Sequence, residues 1–260
     1  MFRYKLDEVP DRSVMLHWLL LAFNAGCINT GGFLATGRFV THVTGFATLF
    51  GVDLQQAGAW ASLQILSVPL FFLLGAMIAG LLTDRPIHLK STPHYDYVMA
   101  LCSACLFLAA LAGGFDYFGV FGESFHLKHT YLLLALLCLA SGLQNGAITS
   151  SSGSSVRTTH LTGLTTDLGL GFARMLTLRK GDRRRAEWLA NGQRAGTVIA
   201  FILGSAAGAW LFSALRYRGF VVPGAIAVYA AWHGRRLKRP ARSKEAPPEA
   251  LPAGLEPRLS

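Results

Sequence analysis

The chain has 260 residues, of which 52% are hydrophobic and only 15% are charged, and its mean hydropathy is +0.40. Soluble domains carry about 25% charged residues, so this composition argues against an ordinary soluble domain and favours a membrane-embedded one. The net charge of +10 is concentrated in the loop "RKGDRRR" and in the tail after Arg235. Because both basic runs border apolar segments, the distribution follows the positive-inside pattern and argues against nucleic-acid binding.

Six apolar segments are long enough to cross a bilayer core, which needs roughly 20 residues. Arginines that bracket the last and shortest segment can snorkel to the interface and so extend it. The first segment follows basic residues and lacks a small-residue cleavage site, so it is predicted to be a retained span. The predicted spans are residues 14–36, 58–82, 95–115, 130–148, 190–214 and 219–233.

Two shorter segments, residues 38–52 and 156–173, are rich in threonine and glycine. Each follows a stretch of low helix propensity, residues 29–37 and 149–157. They are predicted to be short spans or half-membrane helices. The predicted fold is therefore an all-α integral membrane protein with about six spanning helices and two short, broken or re-entrant helices. Eight spans are the alternative.

The two short segments carry the same polar cassette, Thr-His-x-Thr-Gly, and similar blocks lie on both sides of it. The order of the blocks is the same in both parts of the chain, which indicates two copies of one unit. Internal repeats are typical of secondary transporters. The matching pairs are "AGCIN" (25–29) with "SGLQN" (141–145), "THVTG" (41–45) with "THLTG" (159–163), and "LLGAMIAG" (73–80) with "ILGSAAGA" (202–209).

The repeats are predicted at about 14–115 and 130–233, and residues 22–82 are expected to superpose on residues 138–211. If the cassette segments re-enter the membrane, each half has three spans and the halves are inverted. If they cross it, each half has four spans and the halves are parallel.

Counting basic residues favours the inverted arrangement, because only that arrangement places Arg85 and Lys90 in the cytoplasm. Both arrangements put both termini in the cytoplasm. Residues 1–13 are predicted to be a cytoplasmic segment, residues 14–233 a membrane domain, and residues 234–260 a disordered, basic and proline-rich cytoplasmic tail.

The stretches "AGCINTGGFLATGRFVTHVTGFATLFG" and "SGLQNGAITSSSGSSVRTTHLTGLTTDLG" resemble the YoaK family of bacterial membrane proteins, which is defined by a domain of unknown function. The resemblance covers roughly residues 14–233. It implies a multi-pass protein of the bacterial cytoplasmic (inner) membrane and supplies no established activity. Two positions depart from the family pattern: Asn29 stands where many members have Asp, and Phe46 where many have Asn.

The functional hypothesis rests on the cost of polar groups at membrane depth, which are rare there and face a cavity or the bundle interior. Helix breaks at a repeat interface are where transporters bind substrate. The two cassettes are therefore expected to meet near the midplane, with His42 and His160 close together on the interior face. The predicted substrate-binding residues are Asn29, Arg38, Thr41, His42, Thr44, Gln144, Asn145, Arg157, Thr159, His160 and Thr162.

Two further features are assigned from the same segments. Asp167 is a candidate coupling carboxylate, with a capping or loop role as the alternative. A ridge of small residues at every fourth position is expected to pack a helix closely against a neighbour. The ridge consists of Gly192, Gly196, Ala200, Gly204 and Gly208.

No motif of a hydrolase, metalloprotease or phosphate-binding loop occurs in the chain, so no enzyme activity is predicted. No metal site and no cofactor is predicted either, since the four cysteines lie in apolar runs without a second pair. The expected partners are the lipid bilayer and a small solute, with an anion among the candidates and self-association left open. The leading hypothesis is a secondary transporter or permease, followed by a membrane assembly protein and then an intramembrane enzyme.

Overall fold

The computed structural model describes residues 12–56, 58–123, 127–152, 158–178 and 181–236. Within these ranges the protein is helical and has no β-strand. A π-helical turn, Gly80–Asp84, follows the third helix, and a 3₁₀ turn, Arg216–Phe220, joins the last two. The α-helices are α1 (Arg12–Thr36), α2 (Val43–Gln56), α3 (Ala59–Ala79), α4 (Arg85–His88), α5 (Tyr95–Gly114), α6 (Leu127–Ser151), α7 (Leu161–Thr177), α8 (Asp182–Leu215) and α9 (Val221–Arg236).

Helices α1 and α6 cross in opposite directions. The Asn24 side chain of α1 bonds Gln144, whereas Gly32, later in α1, lies beside Leu137, which is earlier in α6. Residue numbers therefore rise along one helix as they fall along the other. We call the end of the bundle where α1 begins the proximal end, and the end where α1 stops the distal end.

The remaining long helices take their directions from this pair. Helices α1, α5 and α8 run from the proximal to the distal end, and α3, α6 and α9 run back. The contacts that fix these directions are Leu19–Gly196 and Cys27–Gly208 for α1 with α8, Ser67–Tyr131 and Ala79–Gly146 for α3 with α6, His17–Tyr95 for α1 with α5, and Ser103–Gly224 and Asp96–Arg235 for α5 with α9.

Neither α2 nor α7 passes from one end to the other. Helix α1 stops at the distal end and α3 starts there, so α2 lies in the distal half. Helix α7 packs antiparallel to the first turns of α8, where Gly171 lies against Asn191 and Arg174 pairs with Glu187, which places it in the proximal half. Among the described elements, α2 contacts α3 and α7 contacts α8, and the two short helices do not touch each other.

Among the described residues, five continuous helical stretches are long and apolar enough to cross a membrane. The last stretch contains both α8 and α9, so each of the six segments predicted from the sequence overlaps one of these stretches. The helix break predicted at residues 29–37 is wrong, because α1 continues to Thr36. A side chain at Gly31 would collide with the Phe212 ring and one at Gly32 with Val40. These glycines therefore permit close packing without ending the helix. The stretches are Arg12–Thr36, Ser62–His88, Tyr95–Gly114, Thr130–Ser151 and Arg183–Arg236.

Two helix pairs approach at glycines until their backbones touch. A Cβ at Gly26 of α1 would collide with the Phe201 carbonyl of α8, and a Cβ at Gly204 of α8 would collide with a carbonyl of α1. In the α3–α6 pair, Gly142 lies against the Phe72 carbonyl in the same way. Such approach is typical of membrane helices, which associate through packing at small residues.

The predicted ridge on α8 is not uniform. Gly204 and Gly208 lie against the α1 backbone, and Gly196 meets the Leu19 side chain. Ala200 is partly buried. Gly192 faces open space and is exposed, so its inclusion in the ridge is wrong. The ridge is thus used only where α8 runs beside α1.

Replacing Gly204 with Ile should lower the free energy of unfolding by about 1–3 kcal/mol, because the added atoms have no space against α1. Gly192→Ile is the matched control: it makes the same change of residue type in the same helix without a close neighbour. The two thermal midpoints can be compared in one detergent. Equal midpoints would show that the α1–α8 contact does not constrain the fold.

Candidate functional site: buried amides between α1 and α6

The crossing of α1 and α6 is held by a pair of buried amides. Asn24 Nδ2 donates to Gln144 Oε1 at 2.9 Å, and Gln144 Nε2 donates to the carbonyl oxygen of Leu21 at 2.9 Å. Both amide side chains are at most 1% exposed. In an apolar interior such bonds resist separation, because each amide would lose its partner.

Several oxygen atoms around this pair have no hydrogen-bond partner in the described part of the chain. They are Asn24 Oδ1, Ser141 Oγ and Asn145 Oδ1, all buried. Ser141 and Asn145 are four residues apart on α6, so they share a helix face, and Ser141 is one turn from Gln144. We call Asn24, Ser141, Gln144 and Asn145 the amide cluster. It offers hydrogen-bond acceptors that the described residues do not use.

A short segment near the amide cluster joins α1 to α2. Asn29 Oδ1 accepts hydrogen bonds from Thr41 N at 3.2 Å and from Thr41 Oγ1 at 2.9 Å. The Cys138 thiol of α6 donates to the Val40 carbonyl at 3.3 Å. The chain therefore turns back from the distal end toward the bundle interior before α2 begins. We call the Asn29–Thr41 pair the distal joint.

In the sequence alignment of the two predicted repeats, Asn29 corresponds to Asn145 and Thr41 to Thr159, and both of these residues are buried. Asn145 Oδ1 and Thr159 Oγ1 each lack a partner among the described residues, as does the adjacent Thr158 hydroxyl. We call the Asn145–Thr159 pair the proximal joint. An asparagine and a threonine thus occur in both places. They are hydrogen-bonded to each other in the distal joint, whereas Asn145 Oδ1 and Thr159 Oγ1 have no partner among the described residues.

The two cassette histidines do not lie where they were predicted. His42 is exposed beside the Phe39 ring, at a centroid distance of 5.4 Å. His160 is exposed at the start of α7. The prediction of interior imidazoles close together is therefore wrong, because α2 and α7 lie on opposite halves of the bundle and pack on different helices.

The other predicted positions divide into buried and exposed groups. The buried residues are Asn29, Thr41, Gln144, Asn145 and Thr159. Arg38 is partly buried, and its Nε has no partner among the described residues. Thr44, Thr162 and Asp167 are exposed, and Arg157 lies outside the described residues.

A second polar group connects α1, α5 and α9 at the proximal end. His17 Nε2 and the Tyr95 hydroxyl are 3.0 Å apart, and the His17 ring lies 5.3 Å from that of His233. Asp96, 5% exposed, accepts a hydrogen bond from Arg235 Nε at 2.8 Å. These contacts tie the last helix to the first, a role that the sequence did not indicate.

A third polar group ties α7 to α8. Glu187 accepts from Arg174 at 3.2 Å and from Arg194 at 2.9 Å, and Arg194 also donates to Asn191. Arg174 belongs to α7 and Glu187 to α8, so an ion pair holds these two antiparallel helices together at the proximal end.

No group of three or more metal-ligating side chains occurs among the described residues. The four cysteines are buried and unpaired. The described residues therefore offer neither a metal cluster nor a disulfide.

These features define a class: a helical membrane protein with apolar spans and a small buried polar interior. The chain belongs to a known family within that class, since the family model "Protein of unknown function (DUF1275)" matches residues 17–232. This match confirms the YoaK-type family resemblance predicted from the sequence. No curated protein and no solved structure matches the chain.

Replacing Gln144 with Leu should destabilise the protein by about 1 kcal/mol, because Asn24 then keeps an unpaired buried N–H. Leucine has a similar volume, so the loss would come mainly from the hydrogen bond. The double variant Asn24→Leu/Gln144→Leu removes both amides and should recover part of that loss. Denaturant titration in mixed micelles measures the free energies of unfolding of Gln144→Leu, of Asn24→Leu and of the double variant. If the double variant loses more free energy of unfolding than the two single variants lose together, the pairing of Asn24 with Gln144 is contradicted.

Proposed function

We propose that the protein is a secondary transporter or permease for a small polar solute and has no catalytic activity. The observation that carries this proposal is the amide cluster, in which buried oxygen atoms lack partners at the crossing of two spanning helices. Unsatisfied polar groups at membrane depth are costly, and they mark solute pathways in membrane proteins. A solute or water bound there would satisfy them.

The chemistry of the amide cluster bears on the kind of solute. Asn24 and Asn145 present free carbonyl oxygens, and Ser141 presents a hydroxyl. Carbonyl oxygens accept hydrogen bonds, so the cluster favours a solute with hydroxyl or amine groups. An anionic solute has less support, because Asn24, Ser141, Gln144 and Asn145 carry no positive charge.

We further propose that the chain consists of two inverted repeats. Gly26 meets the Phe201 carbonyl and Gly142 meets the Phe72 carbonyl, and these two contacts exchange under the repeat alignment. Such reciprocity is typical of a two-fold relation. Helix directions support inversion, since α1 and its counterpart α6 are antiparallel. On this proposal α2 and α7 are re-entrant helices, one from each side, and the protein has six spans.

The proximal end is proposed to face the cytoplasm of a bacterial inner membrane. Basic residues accumulate there, in the turn that holds Arg85 and Lys90 and in the first turn of α8. The distal end carries fewer basic residues, Arg38, Arg216 and Arg218, together with the acidic residues Asp116 and Glu123. The positive-inside rule favours this orientation.

The two joints suggest how access to the amide cluster could alternate. The distal joint is bonded and the proximal joint is not. If the repeats exchange their conformations, the bonded and unbonded joints exchange too, and the cluster opens to the other side. The structure would then be the state closed at the distal end.

The transporter proposal predicts that a small solute stabilises the purified protein. Hydroxylated solutes, amines and organic anions can be screened by thermal unfolding in detergent. A ligand at 100 times its dissociation constant adds about 2.7 kcal/mol, which corresponds to a rise of several degrees in the midpoint. Asn145→Leu should abolish that rise.

The control for this experiment is Asn191→Leu, which makes the same change at a buried asparagine between α7 and α8. That variant should keep the ligand response. A response unaffected by Asn145→Leu would remove the amide cluster from the site. Absence of any response, together with co-purification of a fixed protein partner, would favour an assembly role.

The proposed orientation predicts which introduced cysteines react with an impermeant thiol reagent in intact cells. Glu123→Cys should be labelled and Lys90→Cys should not. Both residues are exposed, and all four natural cysteines are buried, so the background should be low. Lysed cells provide the control, because both sites should then react. The reverse pattern in intact cells would invert the topology.

A further inference from the structure

The distal end contains a groove beside α5, where α8 gives way to α9. Its volume is about 740 Å³ and its walls are almost entirely apolar. Leu108 and Leu111 are 53% and 58% exposed there. Arg218, on the 3₁₀ turn between α8 and α9, is the charged residue in its wall.

The length of the groove matches one leaflet of a bilayer. Along α5 it extends from Ala104 to Phe115. At about 1.5 Å per residue this is roughly 16 Å, and half of a hydrocarbon core of about 30 Å is 15 Å. The groove therefore spans the depth of one layer of acyl chains, from the middle of α5 to its distal end.

A second cavity adjoins the groove at the distal end. It has a volume of about 380 Å³, and Gly114 and Arg218 line both cavities. Polar and apolar atoms contribute about equally to its walls, and Arg216 and Asp116 are among its residues. The combined space is amphipathic, with an apolar part as long as an acyl chain and a polar part at the interface.

The charges of the polar cavity favour an anion. Arg216 and Arg218 are exposed, and neither forms an ion pair with another described residue. Together with Asp116 they leave one net positive charge, which a single phosphodiester would neutralise. Guanidinium groups suit phosphate, because their N–H groups form paired hydrogen bonds to its oxygens.

The backbone of the polar cavity is unusual. Asp116 and Arg216 have φ values of 57° and 51°, a region that residues with a side chain seldom adopt. Such conformations are energetically unfavourable and cluster at functional sites. A glycine would suit either position better, so these two charged side chains occur at positions where the backbone disfavours them.

We propose that the two cavities form one binding site for an anionic phospholipid of the leaflet at the distal end. An acyl chain occupies the groove along α5, and the phosphate lies between Arg216 and Arg218. Basic pockets between membrane helices bind lipid head groups in this way. The site is separate from the amide cluster, which lies between α1 and α6, and it does not depend on transport.

The proposal can be tested by the lipid that the protein retains. The full chain is reconstituted in bilayers of equal parts phosphatidylglycerol and phosphatidylethanolamine and then released into mild detergent. Native mass spectrometry measures the mass of the protein with its bound lipids. The unaltered protein should retain one phosphatidylglycerol in several-fold preference over phosphatidylethanolamine. Equal retention of the two lipids would overturn the proposal.

Charge variants test the polar part of the site. Arg216→Gly with Arg218→Gln removes both cations, and glycine suits the φ of residue 216. The preference for phosphatidylglycerol should fall to about one. Arg85→Ala with Lys90→Ala, which removes two cations at the proximal end, is the matched control and should keep the preference. Retention of the preference in the Arg216/Arg218 variant would overturn the site, and so would loss of the preference in the control.

A groove variant tests the apolar part and covers the case in which the charge variant does not fold. Leu108→Trp fills the groove while both arginines remain, and it should reduce the retained phosphatidylglycerol at least several-fold. Glycerol phosphate, the head group without acyl chains, should not displace the lipid at millimolar concentration. Full retention in Leu108→Trp, or displacement by glycerol phosphate, would show that the groove does not hold an acyl chain.

Discussion

At Gly26 and Gly204, and again at Gly75 and Gly142, two helix backbones lie in contact with no side chain between them. These contacts align α1 with α8 and α3 with α6. Because both pairs are parallel and α1 is antiparallel to α6, the α1–α8 pair runs in one direction and the α3–α6 pair runs in the other. The place of every polar group in the interior follows from this arrangement.

The pairing also explains why the polar side chains occur on α1 and α6. In these two helices 67% and 72% of the most apolar window is buried, compared with 28% in the α3 stretch and 22% in the α8–α9 stretch. An asparagine on an outer helix would face lipid and lose its hydrogen bonds. On α1 and α6 the same residue meets protein, as Asn24 meets Gln144. The amide cluster therefore lies on α1 and α6, where more than half of each helix is covered by protein.

Much of the architecture could be predicted from the sequence, because the length and composition of apolar segments are direct consequences of the bilayer thickness. The buried amides Asn29, Gln144 and Asn145 were identified for a similar reason, since asparagine and glutamine in an apolar run are rarely left in lipid. Gly26 and Gly142 could be aligned as equivalent positions, although their contacts with distant carbonyls could not be foreseen.

The prediction for the cassette histidines was wrong because a repeated motif indicates equivalent positions and does not indicate the distance between them. Two equivalent points lie close together only if they are near the symmetry axis, and the sequence does not say how far from it α2 and α7 pack. His42 and His160 were treated as axial, yet their helices lie on the outer faces of α3 and α8. Asn24 was not selected for the opposite reason: it lies outside the repeated blocks, and its role depends on a contact 120 residues away.

The two ends of the bundle are closed by different physical means. At the distal end Phe121 and Phe212 are stacked, and Tyr217 meets Phe121 edge to face at 4.9 Å. At the proximal end the connections are polar, such as His17 with Tyr95 and the Glu187 ion pairs. Water competes for polar contacts and not for packed rings, so local opening should cost less at the proximal end. The same division appears in the joints, where Asn29 and Thr41 are bonded and Thr159 is not. Among the described residues, the bundle therefore has one end closed by packed rings and one end held by polar contacts.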